Sequence, residues 1–253
     1  MARVLMPLPD RDFDPTEVAV PWKLLVEAGH EVVFATETGA AGEADPLVVN
    51  GVIFGQLGAE KEPVAFLREL ERDPAFAKPA RWDAIEPLAH DALYLAGGHA
   101  KGMRPYIESP EVHAMARAFF EAGRPVAAIC HGVLVLARAR DAEGRSVLHG
   151  RKTTCLPKYM ERTAYYLTAW KLGDYYRTYP AYVEDEVREA VGPRGAFERG
   201  PIHLVSRGTR NDHRPTFLVE DGAYLSGRWP GDAYAIGARF AEMLSEATAV
   251  AAE

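Results

Sequence analysis

Pro125-Val126-Ala127-Ala128-Ile129-Cys130-His131-Gly132-Val133-Leu134-Val135-Leu136-Ala137 is the stretch that decides the reading of this chain. Val126–Ile129 is a short, wholly apolar run, as in a strand buried on both faces. A helix is predicted over residues 132–140. Only Cys130 and His131 stand between them, and Gly132 permits a tight turn with close packing. A side chain held there projects from the carboxyl edge of the sheet with helix amides nearby, the arrangement of a nucleophile elbow. The helix dipole and its free amides predict a thiolate favoured at neutral pH. The alternative is a buried core cysteine, since free cysteines are often buried. The adjoining His131-Gly132 favours the functional reading. Cys155, on a strand-like run before Pro157, is read as structural.

Outward from this junction, apolar runs alternate with helical stretches, the pattern of a parallel α/β domain. Strands are predicted at residues 3–8, 32–35 and 92–96. Helices are predicted at 15–28, with Gly29 as its C-terminal glycine, at 63–72 and over Pro110–Glu121. A loop is expected from residue 36 to about 58. The pattern changes after Cys155. Lys158–Leu172 and Val183–Val191 read as helices, and Tyr159, Tyr165, Tyr166, Trp170, Tyr175, Tyr176, Tyr179 and Tyr182 crowd this segment. Residues 156–200 are therefore read as an insertion that caps the core and sets substrate size, within one domain spanning 1–253. Core packing of the inserted helices or a dimer contact are the alternatives. Strands at 203–206, 216–220 and 224–226 and a helix at 232–246 close the chain, with a hairpin turn at Asp221-Gly222.

The 253 residues suffice for one large domain, and 48% hydrophobic with 26% charged residues is ordinary for a globular protein. A net charge of −7, with basic residues scattered, argues against nucleic-acid binding. Two cysteines make neither a disulfide framework nor a zinc site. No signal peptide or membrane span is legible, so a cytoplasmic location is expected. His113 and His149 have no metal-ligand spacing, His203 and His213 are read as structural or exposed, and no metal is expected.

Ala127-Ala128-Ile129-Cys130-His131-Gly132 resembles the nucleophile motif of the ThiJ/PfpI superfamily, whose fold is class I glutamine amidotransferase-like, a flavodoxin-like parallel sheet between helices. Leu93-Tyr94-Leu95-Ala96-Gly97-Gly98-His99 resembles that family's glycine turn. Glu17 to Trp22 and Ala28 to Thr36 resemble its first helix and second strand. Val219 to Pro230 resembles its C-terminal hairpin and helix entry. The likeness covers residues 1 to about 155 and 215 to 248. It implies that Glu17 meets Cys130, although a glutamate at that position could also be a solvated helix end. It implies an oxyanion-binding role for Gly97 and Gly98. His99 is a candidate for the pocket wall, and His131 is either a general base or only a backbone donor. The family's third triad acid falls nearest Glu161, which could equally be an exposed helix residue.

The resemblance implies a cofactor-free enzyme acting through Cys130 on small reactive carbonyls, a glutathione-independent glyoxalase or related hydrolyase; a homodimer is expected because most soluble oligomers are symmetric dimers. An amidase or peptidase of the same fold would need a complete triad. A chaperone or oxidation sensor would need only an accessible thiol and an apolar surface. No His-x-Glu motif of glutamine amidotransferases follows the cysteine.

Overall fold

The computed structural model describes residues 1–51, 58–202 and 205–250. Seven strands form the main sheet: β1 (Arg3–Pro7), β2 (Glu31–Thr36), β3 (Ala80–Arg81), β4 (Ala92–Leu95), β5 (Val126–Ile129), β6 (Leu218–Asp221) and β7 (Tyr224–Gly227). Their spatial order is β6-β7-β5-β4-β1-β2-β3. All neighbours are parallel except the β6–β7 hairpin. Every residue of β4, β5 and β7 is buried, which is why β4 and β5 read as unbroken apolar runs without alternation.

The helices that matter for the site are α1 (Pro15–Glu27), α2 (Lys61–Leu70), α3 (Pro110–Glu121), α4 (Gly132–Arg138), α5 (Lys158–Leu172), α6 (Val183–Val191) and α7 (Ala233–Val250). α1 packs with α2 and α7, while α4 packs with α3 and α6. Strand order reverses at β1, which has β2 on one side and β4 on the other. Open α/β sheets bind ligands outside the carboxyl ends of strands at such a switch point. The chain after β4 and after β5 leaves the sheet at that edge, carrying Gly97 and Cys130.

α1 shows how a local irregularity is turned to use. Asp14 caps it, accepting from the amides of Thr16 and Glu17 at 2.8 and 3.1 Å. Pro21 lies inside the helix and has no N–H, so the carbonyl four residues earlier, that of Glu17, loses its intrahelical donor. The Tyr94 hydroxyl, from β4, donates to that carbonyl at 3.1 Å. The Glu17 backbone is thereby tied to the strand that leads into Gly97. Tyr94→Phe leaves a buried carbonyl unsatisfied and is expected to lower stability by about 1–3 kcal/mol. A denaturant midpoint equal to wild type would show that the carbonyl finds another donor.

Several expected boundaries move. The helix after the elbow ends at Arg138, and the hairpin turn is Gly222-Ala223, because Asp221 still pairs with Tyr224. Gly222 takes the positive φ of 64° there. The expected loop after Thr36 contains the strand Glu43–Ala44, which pairs with Arg11–Phe13, and the short helix Pro46–Asn50. The two-residue edge strand β3 is too short for a periodic signal. Of the strand expected at 203–206, residues 203 and 204, His203 among them, lie outside the described residues, and 205–206 are not strand. His213 is exposed. No helix among the described residues is long and apolar enough to cross a membrane.

Candidate active site

Cys130 has φ of 58°, a left-handed backbone that a non-glycine residue adopts at a strain of about 1–3 kcal/mol. The strain is imposed from two sides. The Cys130 amide donates to the Gly227 carbonyl of β7 at 3.2 Å. Gly132 packs so tightly on the end of β4 that a methyl group there would lie 2.3 Å from the Leu95 carbonyl oxygen. The glycine that follows the cysteine is thus required by sheet contact.

Glu17 is fully buried. Its Oε2 accepts from the Gly97 amide at 2.9 Å, while Oε1 is buried without a conventional partner and the carboxyl interacts with the Cys130 thiol. A methyl group on Gly97 would lie 2.7 Å from Glu17 Oε2 and 2.9 Å from Cys130 Cβ. Gly97 therefore keeps the carboxyl and the thiol together, and its amide is committed to Glu17. Burial, then the neighbouring Asp14 carboxylate, push the Glu17 carboxyl well above its usual range. Asp14 itself is raised by burial to about 6.

The thiol departs from the sequence expectation. Burial, followed by the negative charges of Glu17 and Asp14, pushes Cys130 well above an ordinary thiol. The His131 amide, a donor to the sulfur, acts in the opposite direction but more weakly. The helix that follows is only Gly132–Arg138, and desolvation of a buried charge outweighs its dipole. Both shifts favour the neutral forms, a thiol beside a protonated carboxyl.

His131 is buried, with Nδ1 3.5 Å from the Cys130 sulfur and Nε2 3.2 Å from Thr178 Oγ1. The Thr178 hydroxyl has one proton and lies 2.6 Å from the His99 carbonyl, which can only accept. It donates there, so toward His131 it can only accept, and Nε2 must carry the ring proton. Burial and the nearby His99 ring depress the His131 pKa strongly and keep the ring neutral. Nδ1 is then left with its lone pair facing the thiol. Thr178 lies beyond α5 in the inserted segment, and sequence spacing carries no signal for it.

Glu161 is not the exposed helix residue that sequence reading left open, nor does it hydrogen-bond to His131. It is 1% exposed, 3.4 Å from Arg177 Nη1, and accepts from the Val183 amide at 3.0 Å. Burial raises it to about 7. It joins the inserted helices, and Thr178 takes the place expected for a third acid. Ligand-capable atoms of His99, His131 and Glu161 lie within 4.8 Å of one another, a metal-like grouping that the linear spacing of histidines conceals. The carboxylate oxygens of Glu161 and the Nε2 of His131 are already engaged in the hydrogen bonds just described.

A cavity of about 230 Å³ opens onto Glu17 and Cys130. Glu17, Gly98, His99 and Cys130 line it, as do Met160, Ala164, Leu167 and Thr168 of α5, with Tyr176, Arg207 and Trp229 completing the wall. His99, pushed down to about 4 by burial, is neutral. Of the aromatic cluster, Tyr176 lies against His99, with 5.5 Å between ring centroids, while Tyr166 and Trp170 are exposed. Cys155 is fully buried, its thiol directed at the Leu156 carbonyl.

Residues 8–201 match the model of a family described as ThiJ/PfpI family-like. This chain belongs to the ThiJ/PfpI family. A deglycase of Pyrococcus abyssi is 27% identical to it over 243 residues, 96% of this chain and 99% of that one. A glutathione-independent glyoxalase of Schizosaccharomyces pombe is 30% identical over 147 residues, which is 54% of this chain and 56% of that protein. The crystal structure of glyoxalase III from Candida albicans superposes with a TM-score of 0.70 at 18% identity, covering 96% of this chain and 97% of that one. At that identity the likeness speaks to the fold. The mainly parallel sheet flanked by helices is the fold that the sequence motifs implied.

Proposed function

We propose that the protein converts 2-oxoaldehydes to 2-hydroxy acids without a cofactor, through a covalent adduct on Cys130. The observation that carries this reading is the gathering of the Glu17 carboxyl, the Cys130 thiol and the His131 imidazole beside a cavity that Glu17 and Cys130 line. The family's glyoxalases and deglycases make the reaction class a natural one.

The buried site disfavours isolated charge, and the one charged state on the path, at the enediol, is a neighbouring pair of protonated His131 and ionised Glu17 that the next step discharges. The thiol sulfur attacks the aldehyde carbon while its proton passes through His131 Nδ1 to the carbonyl oxygen, giving a hemithioacetal. His131 Nδ1 then takes the hydrogen of the former aldehyde carbon as Glu17 gives its proton to the adjacent ketone oxygen. The resulting enediol collapses when His131 returns its proton to the second carbon and Glu17 takes back the hydroxyl proton of the first. A 2-hydroxy thioester remains, with both residues in their starting states. Water attacks it, His131 carries the water proton to the departing sulfur, and a 2-hydroxy acid leaves. The oxidation of one carbon is balanced by reduction of its neighbour, so no external oxidant or reductant is needed.

The test is lactate formation from methylglyoxal by purified protein without glutathione. Thiol-dependent production of lactate is the expected result; inertness toward methylglyoxal and other 2-oxoaldehydes would overturn the reading.

Thr178 enters as a positioning residue. Thr178→Val removes both the acceptor for His131 Nε2–H and the donor to His99, and is expected to lower kcat roughly tenfold to a hundredfold with little change in KM. Its pH–rate profile should change shape, because the two ring tautomers become competitive, and Thr178→Ser should restore the profile. An unchanged profile in Thr178→Val would remove Thr178 from the mechanism.

A further inference from the structure

The steps above use one end of the cavity; its remaining wall holds groups that they leave idle. Leu156, Met160, Ala164, Leu167 and Trp229 make this wall apolar. A volume of about 230 Å³ exceeds the needs of a three-carbon oxoaldehyde, given that a water molecule occupies roughly 30 Å³. Two polar groups belong to residues of this wall. The Trp229 ring is buried, and its Nε1–H has no hydrogen-bond partner among the described residues. Arg207, half-buried, lies over the same ring with its guanidinium carbon 5.2 Å from the centroid. It is the only lysine or arginine among the described lining residues. It makes no ion pair among the described residues.

An unused indole donor and an unpaired guanidinium on one ring are a donor set for an anion. Buried donors are ordinarily satisfied, and arginine suits a carboxylate through paired N–H groups. The nearby protein carboxyl, Asp14, feels the Arg207 charge, but it spends its Oδ1 on two amides of α1.

We propose that Arg207 and Trp229 Nε1 form a carboxylate-binding subsite. The preferred substrates are then 2-oxoaldehydes with an apolar body and a terminal carboxylate, rather than methylglyoxal itself. This substrate class rests on the function proposed above, whereas the subsite does not. The body would lie along Met160, Leu167 and Trp229 while the reactive carbonyl meets Cys130.

The subsite can be read without turnover, from alkylation of Cys130 by a matched pair of reagents. The rates for 4-(bromomethyl)benzoate and 4-(bromomethyl)benzamide are measured by mass spectrometry, and their ratio cancels the state of the thiol. Wild type is expected to favour the benzoate at least tenfold. Arg207→Met should abolish that preference, Arg207→Lys should keep part of it, and Trp229→Phe, which retains a ring but not the N–H, should weaken it. A ratio near one in wild type, or a preference that survives Arg207→Met, would overturn the subsite. Turnover of 4-carboxyphenylglyoxal against phenylglyoxal then tests the substrate class. Methylglyoxal turnover with no benzoate preference would sink the subsite alone. A benzoate preference lost in Arg207→Met, with no oxoaldehyde turned over, would sink the proposed reaction and leave the subsite standing.

Discussion

Cys130→Ala is expected to lose 2-oxoaldehyde turnover by at least about ten-thousandfold, because no neighbouring group can replace the sulfur that forms the adduct. The fold should survive. The side chain is small, and Ala has the same conformational options except for the strained φ of 58°, a position where neither residue is at ease. Cys155→Ala is the control and should retain turnover, since Cys155 does not line the cavity. The same contrast applies to labelling. Iodoacetamide should modify Cys130 before Cys155, through access to the cavity and not through a depressed pKa, because burial raises both thiols. The rate at Cys130 should therefore keep climbing well above neutral pH. Saturation near pH 7 would show a thiolate already formed and contradict the desolvated site. Full activity in Cys130→Ala would end the covalent mechanism.

Glu17→Gln is expected to lower kcat by about a hundredfold to ten-thousandfold, the range associated with losing a general acid–base group, while leaving the protein folded. The amide oxygen can still accept from Gly97, and the amide nitrogen can still donate toward the sulfur. What it cannot do is give up and recover a proton. Stability supplies a second readout with a definite sign. In the native state the Glu17 carboxyl keeps its proton well above the ordinary value of 4.5, whereas in the unfolded chain it loses it near 4.5. The native protein thus binds more protons over that window, and the Glu17 contribution to stability falls as pH rises through it. Glutamine has no such proton, so the melting temperature of Glu17→Gln relative to wild type should rise between pH 5 and pH 8. A relative melting temperature that stays flat over that range would mean that Glu17 is ionised in the folded protein. Normal turnover by the variant would reduce Glu17 to a buried cap of Gly97.

The elbow was legible because its physics is local. An unbroken apolar strand, two residues and a glycine-led apolar helix permit few geometries, and Gly132 is needed wherever that helix must touch β4. The buried strands and Pro110–Glu121, Lys158–Leu172 and Val183–Val191 were legible for the same reason. Each carries its own period or its own end signals. The pairing of Glu17 with Cys130 came only from the family likeness, since 113 positions of chain separate them and no spacing rule spans that distance; the structure makes the pairing through the Gly97 amide.

Sequence alone determined where the thiol sits and which strand and helix hold it there. Tertiary structure decided its ionisation, because burial beside Glu17 and Asp14 depends on atoms that converge from distant elements and outweighs the dipole of a short helix. It also decided what holds His131. Thr178 was invisible and Glu161 was read for its place, because a hydroxyl or a carboxyl becomes a partner only through direction and distance, which the inserted segment acquires by packing over the carboxyl edge of the sheet. Arg207 and Trp229, from the chain beyond that segment, complete the wall of the cavity that Cys130 also lines.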